Sequence, residues 1–217
     1  MTNIRTFADL EEIFRIYCRD KEVIDIGGMS GDVNNVFPIE KIKRLARSVT
    51  CVDANKNDKI DMQGIEFIQG KIQDLMSDKK YQIAFCGEII EHIADQEIFL
   101  TKVRSLLHHD GKLIVTTPNS TALSDFFRIV MTGLDPRQDQ IHDRINGVFL
   151  SGHVVIHNIA TLQQLFDSID MRITDVFYKR PVGGNMVKQM IRDAILNWRP
   201  HLSSQIVVIA EPFQRLQ

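Results

Sequence analysis

Val-Ile-Asp-Ile-Gly-Gly-Met-Ser-Gly, residues 23–31, is the stretch that decides the fold. Its apolar, β-branched beginning predicts a buried strand, and the glycines that follow let a ligand approach the backbone more closely than a Cβ would permit. A helix starting near Gly31 would also direct its free N–H groups toward that ligand. Asp25 adds a carboxylate at the strand end, which repels a pyrophosphate but suits an amine or a hydroxyl. The stretch therefore predicts a binding loop for a neutral or cationic nucleoside-like ligand.

The glycine spacing excludes two phosphate-binding motifs. A dinucleotide fingerprint, G-x-G-x-x-G, starting at Gly27 would need glycines where Met29 and Asp32 stand. No Gly-Lys-Ser/Thr follows the stretch, which excludes a P-loop. A tight strand-to-helix turn that binds nothing remains an alternative for this stretch taken alone.

Bulk composition indicates one ordinary globular domain over residues 1–217, with 44% hydrophobic and 25% charged residues. The net charge of −2 provides no basic field that would argue for a nucleic-acid partner, and only a local basic patch stays open as a route to one. The cysteines, Cys18, Cys51 and Cys86, lack metal or redox spacing and read as buried free thiols of a reducing compartment. The N-terminus lacks a signal h-region, and no apolar run approaches the roughly 20 residues of a membrane span. We therefore expect a cytoplasmic protein, and its oligomeric state stays open.

Short apolar runs alternate with helical spacing along the chain. This alternation indicates an α/β fold with a doubly wound parallel sheet, in which ligands bind at the carboxyl ends of the strands. The predicted strands are residues 23–26, 48–52, 65–69, 81–86, 112–117, 172–178 and 205–210. The predicted helices include residues 6–17, capped by Thr6, and a helix from Pro38 with apolar spacing to Val49. A third helix runs from Asp95 to before Gly111, with His108 and His109 at its solvated end. Residues 121–133 and segments around 162–169 and 187–198 are also predicted to be helical.

Asp53 stands at the tip of the second predicted strand. A carboxylate there is well placed to accept both hydroxyls of a ribose, by the same logic that places an acid on the ribose in dinucleotide folds. The alternative is a surface acid in the turn Asp-Ala-Asn.

Two motifs resemble those of class I S-adenosylmethionine-dependent methyltransferases. Asp25, Gly27 and Gly31 match motif I, D-x-G-x-G-x-G, although Met29 replaces its middle glycine. The order Glu-Ile-Ile-Glu-His, then Asp-Gly-Lys-Leu-Ile-Val-Thr-Thr-Pro-Asn, resembles the small methyltransferases that modify quinones, sugars and other metabolites. The resemblance implies a Rossmann-like, mostly parallel seven-stranded sheet whose last strand is antiparallel.

The resemblance also implies S-adenosyl-L-methionine as the cofactor and assigns residues to its parts. Lys71 stands where the family usually has an acid that contacts the adenine amine, so that side-chain role is not carried over. The implied contacts are Asp25, Gly27, Gly28 and Gly31 for the methionine part, Asp53 for the ribose, and Ile72 and Cys86 for the adenine, with Ala54 as a further cofactor-binding residue.

The implied reaction is methylation of a small-molecule acceptor at oxygen, with Glu91, His92 and His153 as the catalytic residues. A hydroxyl acceptor needs a general base, for which Glu88 and His157 are further candidates. Glu88, Glu91 and His92 have i, i+3, i+4 spacing and would share one face of a helical turn. Residues 118–160 are predicted to form a lid that selects the acceptor.

Two other hypotheses remain. A similar Glu-x-x-Glu-His string with a distant histidine, here His153, binds a divalent metal in small-RNA 3′-terminal 2′-O-methyltransferases, and such ligands suit a metal. Metabolite enzymes carry much the same string without a metal, so our interpretation assigns none. The third hypothesis is a non-catalytic protein that kept the fold, which Met29 and Lys71 motivate.

Overall fold

The structure, a computed structural model, describes residues 3–29, 37–133, 144–145, 148–149, 153–180 and 186–213. The strands are β1 (Asn3–Phe7), β2 (Glu22–Ile26), β3 (Ser48–Asp53), β4 (Ile65–Gln69), β5 (Tyr81–Gly87), β6 (Leu107–Pro118), β7 (Arg144–Ile145), β8 (Val148–Phe149), β9 (Met171–Lys179) and β10 (Gln205–Pro212). The helices are α1 (Leu10–Tyr17), α2 (Pro38–Lys43), α3 (Gln96–Ser105), α4 (Leu123–Thr132), α5 (Ile159–Ser168) and α6 (Met186–Trp198).

The main sheet has eight strands in the order β1-β9-β10-β6-β5-β2-β3-β4. Its neighbours pair in parallel, except that β10 runs antiparallel to both β6 and β9. This confirms the predicted Rossmann-like, doubly wound sheet with an antiparallel last strand, and β1 adds one edge strand to the seven expected. From β2 the chain proceeds to β3 and β4 on one side and returns to β5 on the other. Ligands bind at such a reversal of strand order, beyond the carboxyl ends of the strands.

Helices cover both faces of the sheet. On one face, Val23 and Phe85 pack in the core that contains Ile13 of α1 and Ile39 of α2. On the other face, strand residues such as Ile24 pack in the core that contains residues of α3 and α5. The three cysteines are buried and free, as predicted. No described helix has the length and apolar character needed to cross a bilayer.

The N-terminal prediction was wrong in its first turn. Residues 3–7 form β1, which pairs with the outer edge of β9, and Thr6 lies opposite Tyr178 rather than capping a helix. The cap of α1 is Asp9, whose Oδ1 accepts a hydrogen bond from the Glu11 amide at 2.8 Å. The apolar spacing of residues 7–17 suggested a longer helix because pairing with a distant sheet edge leaves no local signal.

The helix predicted to end before Gly111 ends at Ser105 instead. His108 and His109 belong to the long strand β6, so their assignment to a helix end was wrong. Gly111 lies where the pairing with β5 shifts register, and a Cβ there would lie 3.0 Å from the carbonyl oxygen of His108. Glycine therefore marks an irregularity in a strand at this position. Glycine is also common just after a helix, and the sequence alone does not distinguish the two. The predicted helix from Pro38 is likewise shorter, ending at Lys43, and Val49 lies in β3.

The predicted lid over residues 118–160 is described only in part. Its helix α4 buries no residue and ends at Gly133, which has a left-handed φ of 68°. Residues 134–143, 146–147 and 150–152 of the lid lie outside the described residues, so the lid remains a prediction.

We expect Asp9→Ala to lower the free energy of unfolding by about 1 kcal/mol, because it removes the side-chain cap of α1. The variant also loses the ion pair with Lys41, whose Nζ lies 2.7 Å from Asp9 Oδ1. Asp9→Asn is the matched control, since asparagine caps equally well but lacks the charge. Urea unfolding measures both variants, and equal losses for Asn and Ala would contradict the capping role.

Asp25 is the buried carboxyl group of the central strand. It has no solvent exposure, and its two carboxyl oxygens have no hydrogen-bond partner among the described residues. Burial, assisted by the negative charge of Asp53, raises the pKa of Asp25 to about 8. The folded protein therefore keeps a proton on Asp25 at pH values where the unfolded chain has released it.

Because this pKa is raised in the folded state, stability falls as pH rises from about 4 toward 8. We expect Asp25→Asn to reduce that fall by roughly 1–3 kcal/mol, less than ideal linkage gives because buried sites relax. Urea midpoints at pH 5 and pH 8 measure the effect, with the exposed Asp78→Asn as control. An equally steep fall in Asp25→Asn would contradict the assignment.

Candidate functional site

A cavity of about 560 Å³ opens at the carboxyl ends of β2, β3 and β5, where the strand order reverses. A volume of this size suits a nucleoside-sized ligand. The residues that line it are Ile26, Gly27, Val52, Asp53, Ala54, Gly70, Lys71, Ile72, Gln73, Gly87, Glu88, Ile89, His92, Ile93 and Phe99. Of the residues that the sequence assigned to a site, Gly27, Asp53, Ala54, Ile72 and His92 line this one cavity.

Gly27 ends β2 in a conformation that only glycine adopts without strain. Its φ is +79°, and a Cβ there would lie 2.8 Å from Cδ1 of Ile89. Its N–H donates to the Val52 carbonyl oxygen at 2.9 Å, which ties the turn to β3. Any side chain at this position would strain the backbone and push Ile89, a lining residue, out of place.

Gly28 and Asp25 support the loop and are not among the lining residues. A Cβ on Gly28 would overlap the Asp25 carboxyl group, so the glycine makes room for the buried acid. Met29, which replaces the glycine of the family motif, is also absent from the lining and is 3% exposed within the core. Gly31, predicted to contact the methionine part, lies outside the described residues.

Asp53 lies at the end of β3 and faces the cavity. Its Oδ2 accepts a hydrogen bond from the Met29 amide at 3.1 Å, and its Oδ1 accepts one from the Asn55 amide at 2.9 Å. Two backbone donors thus fix the carboxylate, which keeps further lone pairs for a ligand hydroxyl. Ala54 follows it along the same wall.

The side of the cavity expected to hold the adenine is formed by residues 70–73. Ile72 is there as predicted, and Lys71 and Gln73 join it. Cys86 is not at the cavity, because its side chain is fully buried in the core. The same burial raises the pKa of the Cys86 thiol far above its ordinary value.

The three predicted catalytic residues lie together. The rings of His92 and His153 are 5.0 Å apart, and one ligating atom from each of Glu91, His92 and His153 lies within 4.8 Å of the others. Two hydrogen bonds hold the segments together, since the Glu91 carbonyl oxygen accepts from the amides of Val154 at 2.7 Å and Val155 at 3.3 Å. Only His92 of this cluster also lines the cavity.

Burial shifts the pKa values of two members of this cluster, Glu91 and His153. Glu91 is fully buried, its Oε2 accepts from Thr117 Oγ1 at 3.1 Å, and its Oε1 has no partner among the described residues. Burial and the charge of Glu88 raise the pKa of Glu91 to about 8. Burial and the neighbouring His92 lower the pKa of His153. At neutral pH, Glu91 is therefore protonated and His153 is neutral and able to accept a proton.

Of the other candidate bases, Glu88 is at the cavity and His157 is not. Glu88 has a left-handed φ of 50°, and its Oε1 accepts from Gln205 Nε2 at 2.7 Å. His157 is buried, its Nδ1 lies 3.2 Å from Thr161 Oγ1, and burial lowers its pKa. We interpret His157 as a structural residue at the start of α5.

Sequence reasoning did not single out Thr117 or Gln205, which hydrogen-bond to Glu91 and Glu88 respectively. Thr117 had a usable signal, because it lies in the Thr-Thr-Pro-Asn string at a strand end. Gln205 had none, since its place depends on the pairing of the last strand.

Comparisons with known proteins identify the family of this chain. A family model described as a methyltransferase domain matches residues 6–176. The ubiquinone biosynthesis O-methyltransferase of Rickettsia prowazekii (strain Madrid E) is 30% identical over 97 residues, covering 45% of this chain and 36% of the relative. The protein of the same name from Pelagibacter ubique (strain HTCC1062) is 28% identical over 130 residues, covering 54% of this chain and 52% of the relative. The chain thus spans about half or less of the length of these curated relatives.

A solved structure shares the fold. The 1,6-didemethyltoxoflavin-N1-methyltransferase of Burkholderia thailandensis, determined with 1,6-didemethyltoxoflavin and S-adenosylhomocysteine, is similar with a TM-score of 0.57 at 12% identity. The similarity covers 94% of this chain and 76% of that protein. The family model matches well over half of the 217 residues, and the chain belongs to the methyltransferase-domain family.

Proposed function

We propose that this protein transfers a methyl group from S-adenosyl-L-methionine to a hydroxyl oxygen of a small-molecule acceptor. The observation that carries the proposal is the cavity at the reversal of strand order, lined by the bare backbone of Gly27 and by the Asp53 carboxylate. The relatives named ubiquinone biosynthesis O-methyltransferase support oxygen as the methylated atom.

The residues at the cavity fit the parts of this cofactor. Gly27 provides close backbone approach for the methionine part, Asp25 of β2 and Gly28 support it without lining the cavity, and Gly31 stays a predicted contact of the same part. Asp53 and Ala54 would hold the ribose, and Ile72 would contact the adenine from the wall that Lys71 and Gln73 share. Cys86 drops out of this set because its side chain packs in the core. S-adenosyl-L-methionine, when bound, supplies an electrophilic methyl group on a sulfonium.

The residues on the acceptor side supply orientation and proton transfer. His92 lines the cavity, and the neutral His153 lies beside it as the candidate base for the acceptor hydroxyl. Glu91, protonated at neutral pH, is a hydrogen-bond donor rather than a base there. Because a methyl transfer is an in-line displacement, holding the acceptor in place contributes much of the acceleration.

We expect the protein to bind S-adenosylhomocysteine, and Asp53→Ala to weaken that binding about 10- to 100-fold through loss of charged hydrogen bonds. Isothermal titration calorimetry measures both affinities. Asp58→Asn, which removes an exposed acid from the loop after β3, is the control and should bind like the wild type. Absence of wild-type binding at millimolar concentration would refute the cofactor assignment.

A second candidate is metal-assisted methylation of a hydroxyl, including a ribose hydroxyl of RNA. The cluster of Glu91, His92 and His153 favours it, because a carboxylate and two imidazoles are common ligands of divalent transition metals. Glu91 Oε1 and His153 Nδ1 are buried and have no hydrogen-bond partner in the part of the chain that the structure describes, so both are available as ligands. A metal there would need the proton of Glu91 to leave, since metal ligands bind deprotonated.

If this second candidate holds, the protein binds Mn²⁺, and His153→Ala weakens binding at least about tenfold because one ligand is lost. Calorimetric titration with Mn²⁺ measures the affinity, and methyl transfer in the presence of a chelator measures dependence on the metal. His109→Ala, on the exposed part of β6, is the matched histidine control. Transfer that a chelator leaves unchanged would exclude the metal.

A further inference from the structure

The antiparallel direction of β10 brings its first residue to the functional edge of the sheet. Gln205 lies opposite Pro118, the last residue of β6, in the antiparallel pairing of these strands. A parallel strand would begin at the opposite edge, because all parallel strands end together at the ligand side. Gln205 therefore enters the site through topology and not through sequence proximity.

The backbone before Gln205 is anchored to the end of β6. Asn119 donates its amide side chain to the carbonyl oxygens of His201 at 2.7 Å and Ser203 at 2.5 Å. The Asn119 backbone N–H donates to the Ser204 carbonyl oxygen at 2.9 Å. These contacts therefore fix the backbone at Gln205 independently of any contact that its side chain makes.

The Gln205 side chain reaches Glu88 across 117 residues of sequence, with Nε2 donating to Oε1 at 2.7 Å. Glu88 lines the cavity, and its N–H donates to the Thr116 carbonyl oxygen at 3.0 Å. Its left-handed φ of 50° is costly for a non-glycine residue and persists only where the surroundings enforce it. Two strands therefore hold Glu88, because β6 accepts a hydrogen bond from its backbone N–H and Gln205 of β10 donates one to its carboxyl group.

Without Gln205, the Glu88 carboxyl group would have another partner available. The charge of the nearby Glu88 helps to raise the pKa of Glu91, and Glu91 Oε1 has no hydrogen-bond partner among the described residues, whereas Thr117 holds Oε2. The rings of His92 and His153 lie beside Glu91, and one ligating atom of each is within 4.8 Å of one from Glu91. A neutral amide donor orients a carboxylate without neutralising its charge, which a lysine or arginine would do.

We propose that Gln205 is a positioning residue of the acceptor side, which holds the Glu88 carboxylate at the cavity wall and so sets the negative charge that faces the transferred methyl group. This role rests on the proposed function. A carboxylate held there favours a cationic group at the position of the sulfonium over a neutral one. Gln205 acts only through Glu88 and touches neither cofactor nor acceptor.

Two cofactor analogues test this charge without any knowledge of the acceptor. Sinefungin carries an amine where the cofactor carries its methyl group, whereas S-adenosylhomocysteine is neutral at that position. We expect the wild type to prefer sinefungin. Gln205→Met, which keeps length and burial but cannot donate, should reduce that preference about three- to tenfold, while the Kd of S-adenosylhomocysteine changes less than about twofold. Calorimetry measures all four affinities.

Three further variants separate positioning from a structural effect. Gln163→Met removes an equivalent glutamine-to-carboxylate hydrogen bond on α5, where Nε2 lies 2.9 Å from Asp167, and should leave the preference unchanged. Gln205→Asn keeps the neutral amide but is one methylene too short to reach Glu88, so it should lose about as much preference as Gln205→Met. In a Glu88→Gln background, Gln205→Met should have no additional effect.

The outcomes are distinct. An equal loss of affinity for both analogues in Gln205→Met, or an effect that persists in Glu88→Gln, would overturn the positioning role and leave the cofactor site intact. A wild type that binds neither analogue would overturn the proposed function, and the role of Gln205 with it.

Discussion

The hydrogen bond from the Met29 amide to the Asp53 carboxylate joins the ends of two adjacent parallel strands, and the arrangement of the cavity depends on it. Parallel pairing alone aligns β2 and β3 but leaves the loops beyond them free to diverge. The hydrogen bond from the Met29 amide connects the loop after β2 to Asp53, and the Asn55 amide fixes the other carboxylate oxygen. Asp53 is therefore oriented by backbone donors before any ligand arrives, which lowers the entropy lost on binding.

This interaction also explains how methionine fits at the position where the family motif has glycine. The amide that bonds to Asp53 is a backbone group, so it does not depend on the side chain. The side chain itself is buried in the core and does not occupy the cavity. Gly27 is different, because its positive φ and its contact with Ile89 leave no room for a Cβ. Gly27 is thus constrained by its backbone conformation and by the contact with Ile89, whereas Met29 contributes its backbone amide.

On the acceptor side of the cavity, the charges of Glu91 and His153 depend on whether a metal binds there. Glu91 keeps a proton because it is buried beside another carboxyl group, and His153 stays neutral because it is partly buried beside His92. A proton-transfer mechanism uses both states as they are, whereas a metal requires Glu91 to lose its proton. The two candidate mechanisms therefore place opposite demands on one residue. Membership of the family does not decide between them, since one fold supports different chemistries.

Much of the architecture was predictable because its signals are local. Alternating strands and helices predicted the doubly wound sheet, and a glycine after a buried strand together with an acid at the next strand tip located Gly27 and Asp53. The predicted helical turn over Glu88, Glu91 and His92 was right only for its second half, because the short turn spans Ile90–His92 and Glu88 precedes it with a left-handed φ. In each case a few neighbouring residues carry the physical constraint, through backbone freedom, periodicity or charge at a strand end.

Only the tertiary structure decided the remaining features. Both faces of a doubly wound sheet are buried, so an apolar strand does not reveal that the Cys86 side chain is fully buried and does not line the cavity. The edge pairing that makes residues 3–7 a strand, and the antiparallel insertion that brings Gln205 to Glu88, join segments far apart in the chain. The sequence by itself determined the elements and the binding loop, while pairing between distant strands determined which side chains meet.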